Sequence, residues 1–382
     1  MTPAARISAA IDVLDQILLG QSAEFVLTNW GRANRFAGSG DRAAIRDLVY
    51  DALRCRASFA AYGGGLTGRG LALGGLRALG GDIDALFTGE GHAPAKVTAQ
   101  DEGQVPSGFD ALDCPPWLGP KLQASLGAEF EPILQALQRR APVFLRVNLA
   151  RITREDARIV LAEDAIETQP VSWVHTGLEV TENARKIQSS KAYQTGLVEL
   201  QDASSQAVVA SLYLTPNMKV LDYCAGGGGK ALALAARGAK VWAHDAFAAR
   251  MADLPTRAAR AGQRILITAQ PAETKPYDIV LTDVPCSGSG SWRRDPVGKW
   301  ALTPARLAEL CALQAQIMDM AAPLVRHGGT LAYVTCSLLT EENEAQVAAF
   351  LARHTGWLGK TQKRFSPIEG GDGFFLATLT RV

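Results

Sequence analysis

The sequence has no run of about 18 consecutive apolar residues, the length that a membrane-spanning helix needs. Asp12 and Asp15 interrupt its N-terminal apolar pattern, so we expect no secretory signal peptide. It also lacks an excess of charge of either sign, because the formal net charge over 382 residues is +1. That balance argues against a protein that coats nucleic acid through bulk charge, but it is compatible with a local basic groove.

Cysteines are few, and none are paired as Cys-x-x-Cys. Six are scattered singly along the chain: Cys55, Cys114, Cys224, Cys286, Cys311 and Cys336. This spacing fits neither a zinc site nor a disulfide framework, so we expect no metal ion and a reducing, cytoplasmic setting. Each cysteine then belongs either to a packed core or to the chemistry.

The first third of the chain has the periodicity of helices. Hydrophobic residues make up 47% and charged residues 20% of the whole, which is typical of a globular protein with two or three domains. From Ile7 to Leu18, and again from Asp41 to Tyr62, apolar residues recur every three or four positions. Such spacing predicts amphipathic helices. We therefore expect residues 1–140 to form an all-helical domain.

After Pro142 the pattern changes. Val143–Asn148 is typical of a strand, Thr153–Ala162 of a helix opened by its threonine, and Val171–Val174 of a second strand. These elements predict a small mixed α/β domain over residues 141–201.

Residues 202–382 alternate between strand and helix patterns. Strands are predicted at Lys219–Tyr223, Lys240–Ala243, Arg264–Thr268, Tyr277–Thr282 and Thr330–Thr335. Helices are predicted at Lys230–Ala236, Phe247–Ala261, Pro304–Val325 and Glu341–Arg353. Such alternation predicts an α/β domain with a parallel sheet and helices on both faces. Ligands of these sheets bind beyond the carboxyl ends of the strands.

Two of the predicted strands end in residues that suit a nucleotide. The first is followed by Cys224, Ala225 and the four glycines Gly226–Gly229, before Lys230 begins a helix. Glycines let the backbone approach a ligand, although the order matches neither a dinucleotide fingerprint nor a Walker A loop, and a flexible turn is the alternative. The second strand is followed by Asp245, at the place where such sheets hold ribose hydroxyls; a helix N-cap is its other explanation.

Two further strands end in cysteines. Asp283 and Cys286 follow the fourth strand, and Cys336 follows the fifth. If these strands are neighbours, two thiols and a carboxylate meet at one cleft, which favours a chemical role over simple packing. Cys311, by contrast, lies on the apolar face of a predicted helix and is assigned to the core.

Several motifs carry a resemblance to a known family. They are Asp283-Val284-Pro285-Cys286-Ser287-Gly288, Thr335-Cys336-Ser337, Gln201-Asp202-Ala203-Ser204-Ser205-Gln206, Arg294-Asp295-Pro296 with Trp300, Glu341-Glu342-Asn343-Glu344 and Asp372-Gly373-Phe374-Phe375. Together they resemble the Sun/Nop (RsmB-type) family of S-adenosylmethionine-dependent RNA cytosine-5 methyltransferases, over residues 142–382. The glycine loop is similar to that family's D-x-C-A-A-P-G-G-K-T motif.

The N-terminal region resembles the antitermination-factor-like (NusB-like) domain of the bacterial ribosomal members. This resemblance rests on Asp41-Arg42 and on Pro115-Pro116-Trp117-Leu118. It implies an all-helical NusB-like domain, a small β-α-β domain and a class I (Rossmann-like) methyltransferase domain. It also implies that residues 1–140 contribute RNA affinity and no chemistry.

The resemblance implies a role for each reactive group. Cys336 is expected to attack carbon 6 of the cytosine, Cys286 to take part in product release, and Asp283 to contact the cytosine edge. Lys230 is expected to face the cleft. S-Adenosylmethionine is expected to bind Cys224, Ala225, Gly226, Gly227, Gly228, Gly229, Lys230, Asp245, Gln270 and Asp283.

The expected partner is RNA, above all ribosomal RNA, with a single-stranded or flipped cytosine. Trp292-Arg293-Arg294, Lys299 and Trp300 are predicted to contact it; a solvated loop with an anchoring tryptophan is the alternative. We expect a monomer with no membrane partner.

Two departures from the family pattern leave alternatives open. Gly226-Gly227 replace an Ala-Pro pair, so the loop is expected to be more mobile, and Gln270 stands near where the family places an aspartate beside the adenine. The protein is alternatively a tRNA cytosine-5 methyltransferase or a catalytically weakened RNA-binding or assembly factor. A methyltransferase acting on protein or small molecules is less compatible with the paired cysteines, because methylation of amines or carboxylates needs no thiol.

Overall fold

The computed structural model describes all 382 residues. The chain forms two units, one made of Met1–Arg140 with Trp292–Ala301 and the other of Ala141–Ser291 with Leu302–Val382. No helix in it is both long and apolar enough to cross a membrane.

The first unit is helical, and the prediction of a helical N-terminal region is confirmed. Its first nine helices are α1 (Pro3–Leu18), α2 (Ala23–Ala33), α3 (Ser39–Arg54), α4 (Arg56–Tyr62), α5 (Gly68–Leu79), α6 (Ile83–Leu86), α7 (Gly108–Ala111), α8 (Gly119–Leu126) and α9 (Phe130–Leu137). Helix α1 begins where the Thr2 side chain accepts a hydrogen bond from Ala5 N at 3.2 Å, a regular N-cap. Its apolar face buries Val13 and Leu14 in one cluster with Ile45 of α3.

The second unit opens with a small antiparallel sheet. Its strands are β1 (Val143–Val147), β2 (Thr168–Pro170), β3 (Gly177–Val180) and β4 (Val198–Leu200), in the order β2-β3-β1-β4. The prediction of a strand at Val171–Val174 is wrong. These residues form the turn between β2 and β3, where Val171 N donates to Gly177 O at 3.0 Å. Both valines are buried in the core, and burial in a turn gives the same apolar pattern as a short strand.

The larger sheet has seven strands. They are β5 (Lys219–Asp222), β6 (Lys240–Ala243), β7 (Ile265–Ile267), β8 (Tyr277–Asp283), β9 (Val325–Thr335), β10 (Trp357–Phe365) and β11 (Phe374–Arg381). The order is β10-β11-β9-β8-β5-β6-β7, with β5 to β9 parallel and the last two strands antiparallel. The predicted Rossmann-like α/β class is confirmed.

Both faces of this sheet are covered. Val220 and Ile279 point into one hydrophobic cluster, whereas their chain neighbours Leu221 and Val280 point into another. The remaining helices are α10 (Arg154–Glu163), α11 (Lys191–Gln194), α12 (Ala203–Ala210), α13 (Gly229–Ala236), α14 (Leu254–Ala261), α15 (Pro296–Ala301), α16 (Pro304–Ala321) and α17 (Glu344–Arg353). Burial on two sides explains why consecutive residues in the middle of the central strands are apolar, as in the run Ile279–Leu281 of β8.

Two parts of this domain differ from prediction. The helix expected over Phe247–Ala261 is a short 3-10 turn followed by α14, which starts at Leu254 because Pro255 favours the first turn of a new helix. The strands β10 and β11 were not predicted. Strand β10 lies at the sheet edge with most of its residues exposed, and β11 is buried over its first six residues, so neither shows an apolar alternation.

The segment Trp292–Ala301 is part of the helical unit although it lies between β8 and β9 in sequence. Lys299 Nζ donates to Arg54 O at 2.9 Å, and Trp300 Nε1 donates to Leu53 O at 3.0 Å. These are the last carbonyls of α3, which have no partner within their own helix. The segment therefore caps the C-terminus of α3.

This placement corrects the prediction that the segment contacts RNA. Trp292 is 2% exposed, and Arg293 and Lys299 are each 3% exposed. Of the three residues that open the segment, Arg294 alone is exposed. The sequence pattern was ambiguous because a cation beside an indole ring suits an RNA strand and the end of a helix equally well.

We predict that Trp292→Ala destabilises the protein, because it removes a fully buried ring. The free energy of unfolding should fall by about 3–5 kcal/mol, as for other buried aromatic side chains. Arg294→Ala is the matched control and should cost less than about 1 kcal/mol. Denaturant melts measure both, and a Trp292→Ala protein of unchanged stability but weaker RNA binding would restore the RNA-contact hypothesis.

Candidate active site

The predicted site residues lie at the carboxyl edge of the large sheet. Parallel pairing sets Asp222 of β5 opposite Leu281 of β8, and Asp283 of β8 opposite Val334 of β9. Cys336 follows β9 directly. The four central strands therefore end together, and their terminal side chains face one region.

The two cysteines are in contact. Cys286 Sγ and Cys336 Sγ lie 3.3 Å apart, within hydrogen-bonding distance for sulfur. The hydrogen bond to Cys336, followed by burial, raises the pKa of Cys286 well above that of a free thiol. Cys286 therefore favours its protonated form, and either sulfur can be the donor in this contact.

Backbone contacts fix the loop that carries Cys286 beside the chain after β9. Gly290 N donates to Cys336 O at 2.9 Å, and Gly373 N donates to Gly290 O at 2.8 Å. A Cβ on Gly290 would lie 2.1 Å from Gly373 O, so only glycine permits this approach.

Asp283 and Lys230 form an ion pair. Lys230 Nζ lies 2.6 Å from Asp283 Oδ2 and 4.9 Å from the centre of the Phe374 ring. Burial on its own lowers the pKa of Lys230, but the charge of Asp283 and the hydrogen bond to it outweigh that effect and raise it. The Lys230 side chain is 9% exposed and that of Asp283 is 30% exposed, so a ligand can reach the carboxylate.

Asp222 was not among the predicted site residues. It is 1% exposed, and neither of its carboxylate oxygens has a hydrogen-bond partner of normal geometry. Burial and the nearby charge of Asp283 raise its pKa to about 7. A buried carboxylate without a partner is costly, and it indicates a place for a positively charged ligand. The signal in the sequence was an acidic residue between a buried strand and a glycine loop.

The glycine loop is shaped by its neighbours. Gly226 and Gly228 have φ of 51° and 79°, the left-handed region that favours glycine. A Cβ on Gly228 would lie 2.2 Å from the Leu254 side chain. Arg257 Nη1 donates to Gly227 O and Arg146 Nη1 donates to Gly229 O, so arginine side chains hold a loop that lacks the family's proline.

The first two residues of the loop are Cys224 and Ala225. Ala225 N donates to His244 O at 2.9 Å. Burial raises the pKa of Cys224, so its thiol stays protonated and suits packing more than reactivity.

Asp245 is bonded to the loop. Its Oδ2 accepts a hydrogen bond from Gly226 N and its Oδ1 accepts one from Phe247 N, each at 2.9 Å. Arg250 Nη1 lies 3.6 Å from Oδ2. The carboxylate is thus placed where the loop and the end of β6 meet.

Gln270 follows the edge strand β7, its side chain is exposed, and its backbone N donates to Thr268 Oγ1 at 3.2 Å. The three-residue strand β7 ends at exposed residues. A polar residue is ordinary at such a position, so the sequence around Gln270 does not indicate a binding role.

A second buried carboxylate was also missed as a site residue. Glu342 is fully buried and accepts hydrogen bonds from Ser287 and Ser337, the residues that follow the two cysteines. In the sequence, Glu342 stands in the acidic run Glu341–Glu344. Nothing in that run distinguishes a buried glutamate from an exposed one.

Comparisons with known proteins identify the family of this chain. The family model described as 16S rRNA methyltransferase RsmB/F matches residues 209–380, and the RsmF/B-like ferredoxin-like domain matches residues 114–187. Ribosomal RNA small subunit methyltransferase B of Citrobacter koseri is 34% identical over 284 residues. The chain belongs to the RsmB/F family. The alignment covers 70% of this chain and 66% of that relative, just under two thirds of its length.

Solved structures support the fold of this RsmB/F family member. The crystal structure of PH0851 has a TM-score of 0.78 at 23% identity, covering 100% of this chain and 99% of that one. A methyltransferase homolog protein from Pyrococcus horikoshii has a TM-score of 0.63 at 22% identity, covering 72% of this chain and 97% of that one.

We predict that Asp245→Ala weakens binding of S-adenosylmethionine by about one to two orders of magnitude, as expected for losing a hydrogen bond to a charged group worth roughly 1.5–3 kcal/mol. The variant also frees Gly226 N, which adds to the loss. Asp253→Ala, at an exposed carboxylate before α14, is the control and should bind normally. Calorimetric titration measures both; unchanged affinity in a folded Asp245→Ala protein would remove Asp245 from the site.

Proposed function

We propose that this protein transfers a methyl group from S-adenosylmethionine to carbon 5 of a cytosine in ribosomal RNA, in the cytoplasm and as a monomer. The observation that carries the proposal is the contact of 3.3 Å between the thiols of Cys286 and Cys336. It occurs at the sheet edge that also holds Asp283 and Lys230. Family membership supports an RNA substrate.

The residues present fit the cofactor. S-Adenosylmethionine carries a sulfonium and an ammonium group, and Asp222 offers two buried carboxylate oxygens without partners beside the glycine loop. Residues 224–229 and Asp245 would line its other side, whereas exposed Gln270 would contribute at most from the rim. When bound, the cofactor supplies an electrophilic methyl group.

Carbon 5 of cytosine is a poor nucleophile, so the reaction needs covalent activation. The sulfur of Cys336 adds to carbon 6, which makes carbon 5 electron-rich enough to take the methyl group. A thiol of ordinary pKa is largely protonated at neutral pH. The site must therefore favour the thiolate of Cys336 or let Cys336 pass its proton to the substrate.

Asp283 would bind the edge of the cytosine ring, at nitrogen 3 and the exocyclic amine. Lys230 holds this carboxylate at 2.6 Å and so fixes its direction. Such preorganised charge stabilises the ring as the sulfur adds. Lys230 therefore orients Asp283, and it reaches the substrate only through that ion pair.

For the product to leave, the bond between Cys336 and carbon 6 must break again. After the methyl transfer, a solvent water takes the proton on carbon 5, and the electron pair left behind re-forms the double bond between carbons 5 and 6. The bond between carbon 6 and Cys336 then breaks, with its electron pair returning to sulfur. Cys286, in contact with Cys336 at 3.3 Å, would stabilise the departing thiolate by donating its S–H, and we assign it to this step.

We predict that the two cysteines give opposite phenotypes. Cys336→Ala should abolish both methylation and any covalent RNA–protein species. Cys286→Ala should still attack, but slow elimination should cause an adduct with RNA to accumulate. Cys311→Ala, on helix α16, is the control and should methylate normally.

A denaturing gel after incubation with RNA and cofactor detects the adduct as a shifted band. If only the Cys336 variant accumulates it, the two roles are reversed. If neither folded variant does so while binding RNA, the covalent mechanism is overturned.

We predict that cofactor affinity depends on pH through Asp222, whose pKa is raised to about 7. Only the ionised form attracts the cationic ligand, so affinity should rise with pH, by about tenfold from pH 6 to pH 8 for one coupled proton. Asp222→Asn should bind more weakly and lose this dependence. Calorimetry at several pH values tests it; an unchanged slope in the variant would exclude Asp222.

Two alternatives share most of this site. A tRNA cytosine-5 methyltransferase would have the same chemistry, and bisulfite sequencing of total RNA from cells with and without the protein distinguishes it by the RNA that loses its mark. A weakened RNA-binding or assembly factor is suggested by Gly226-Gly227 and Gln270. Failure to bind S-adenosylmethionine in a calorimetric titration would favour that factor over an enzyme.

A further inference from the structure

Glu342 is the most completely enclosed carboxylate near the cysteines. It ends the 3-10 turn Thr340–Glu342 and is 0% exposed. Burying a carboxylate is costly unless hydrogen bonds satisfy it. Here Oε1 accepts from Ser287 N at 2.8 Å and from Gln314 Nε2 at 2.9 Å. Oε2 accepts from the hydroxyls of Ser287 and Ser337, each at 2.5 Å.

These hydrogen bonds join two separate loops. Ser287 follows Cys286 on the loop after β8, and Ser337 follows Cys336 after β9. Ser289 adds a cross-connection, because its hydroxyl lies 3.1 Å from that of Ser337. One carboxylate therefore sets the separation of both cysteine-bearing segments.

Helix α16 and strand β9 hold Glu342 itself. Gln314 Nε2 also donates to Pro285 O at 3.0 Å, next to Cys286. Tyr333 OH donates to the backbone carbonyl of Glu342 at 2.6 Å. Gln314 and Tyr333 are each 0% exposed, so buried side chains hold Glu342 in place.

We propose that Glu342 is a positioning residue that ties the loops of Cys286 and Cys336 together and keeps the two thiols in contact during methyl transfer. This inference rests on the proposed function, since it assigns Glu342 a role through the cysteine pair. Charge-assisted hydrogen bonds are about twice as strong as neutral ones, which suits a carboxylate for this task.

The charge of Glu342 has a second effect. After the hydrogen bond to Cys336, burial and the charge of Cys336, Glu342 is a further cause of the raised pKa of Cys286. The charge of Glu342 therefore helps to keep the thiol of Cys286 protonated. A neutral side chain of the same shape would weaken the link between the loops and lower the pKa of Cys286.

Glu342→Gln tests the inference in the full-length protein. We expect kcat to fall by about 10²-fold, the effect typical of a misplacement of about 1 Å. KM for RNA and the Kd for S-adenosylmethionine should stay within about twofold, because the residue acts through the cysteines. The pH at which Cys286 ionises should move downward, which a purely structural role would not produce.

Two variants sharpen the result. Ser337→Ala removes one donor to Glu342 but keeps the negative charge, so kcat should fall with little shift in the pH of Cys286 ionisation. Glu341→Gln, one residue away, removes the same charge and should leave kcat and the pH profile near wild type. If Glu342→Gln does not fold, a Ser337→Ala protein with wild-type kcat overturns the proposal.

The ionisation of Cys286 can be followed without RNA, by the pH dependence of its alkylation read by mass spectrometry. If the wild-type protein methylates no RNA, the proposed function fails, and Glu342 is then judged on this titration alone. A folded Glu342→Gln protein with unchanged kcat and an unchanged Cys286 titration overturns the inference. A rise in KM at constant kcat overturns it equally, because that points to substrate binding.

Discussion

Parallel pairing of β8 and β9 is the constraint on which the candidate site depends. The register sets Asp283 opposite Val334, so the chain beyond β8 and the chain beyond β9 leave the sheet side by side. Cys286 and Cys336 can meet at 3.3 Å only because of that adjacency. The short loop after β8 then returns to the same edge, where Gly290 pairs with the backbone at Cys336.

Negative charge is concentrated behind this edge. Asp222, Asp283 and Glu342 lie close to the reactive groups, with Lys230 as the buried cation among them. Asp283 forms an ion pair and Glu342 accepts four hydrogen bonds. The oxygens of Asp222 have no hydrogen-bond partner of normal geometry, and only the charge of Lys230 and the backbone N of Ala231 favour its ionised form. That imbalance suits a site that receives a cation, because a ligand with positive charge relieves the one carboxylate left without a partner.

The chain passes from the second unit, which holds both sheets, into the helical unit and back. The excursion starts at Trp292, six residues after Cys286, and it ends at Ala301. Within the helical unit, the indole of Trp300 and the ammonium group of Lys299 donate hydrogen bonds to the last carbonyls of α3. The helical unit is therefore built from two separate stretches of sequence, and the first stretch by itself leaves the end of α3 without its hydrogen-bond donors.

The sequence by itself determined the helical N-terminal region, the α/β class and the residues that follow the central strands. Helical spacing in α1, the strand and helix alternation after Met218, and the Pro-Cys and Thr-Cys motifs are local signals, since each depends on neighbouring residues alone. They were enough to predict a helical N-terminal region, a Rossmann-like sheet and a cysteine pair at its edge.

Tertiary structure decided the rest, because it depends on which side chains are removed from water and what they then meet. The apolar run Val171–Val174 became a turn, and Trp292 and Lys299 became core residues. Asp222 lost its hydrogen-bond partners while Glu342 gained four, although both are ordinary acidic residues in the sequence. A buried carboxylate with no hydrogen-bond partner and one with several look the same in a sequence. Only the packed structure distinguishes them.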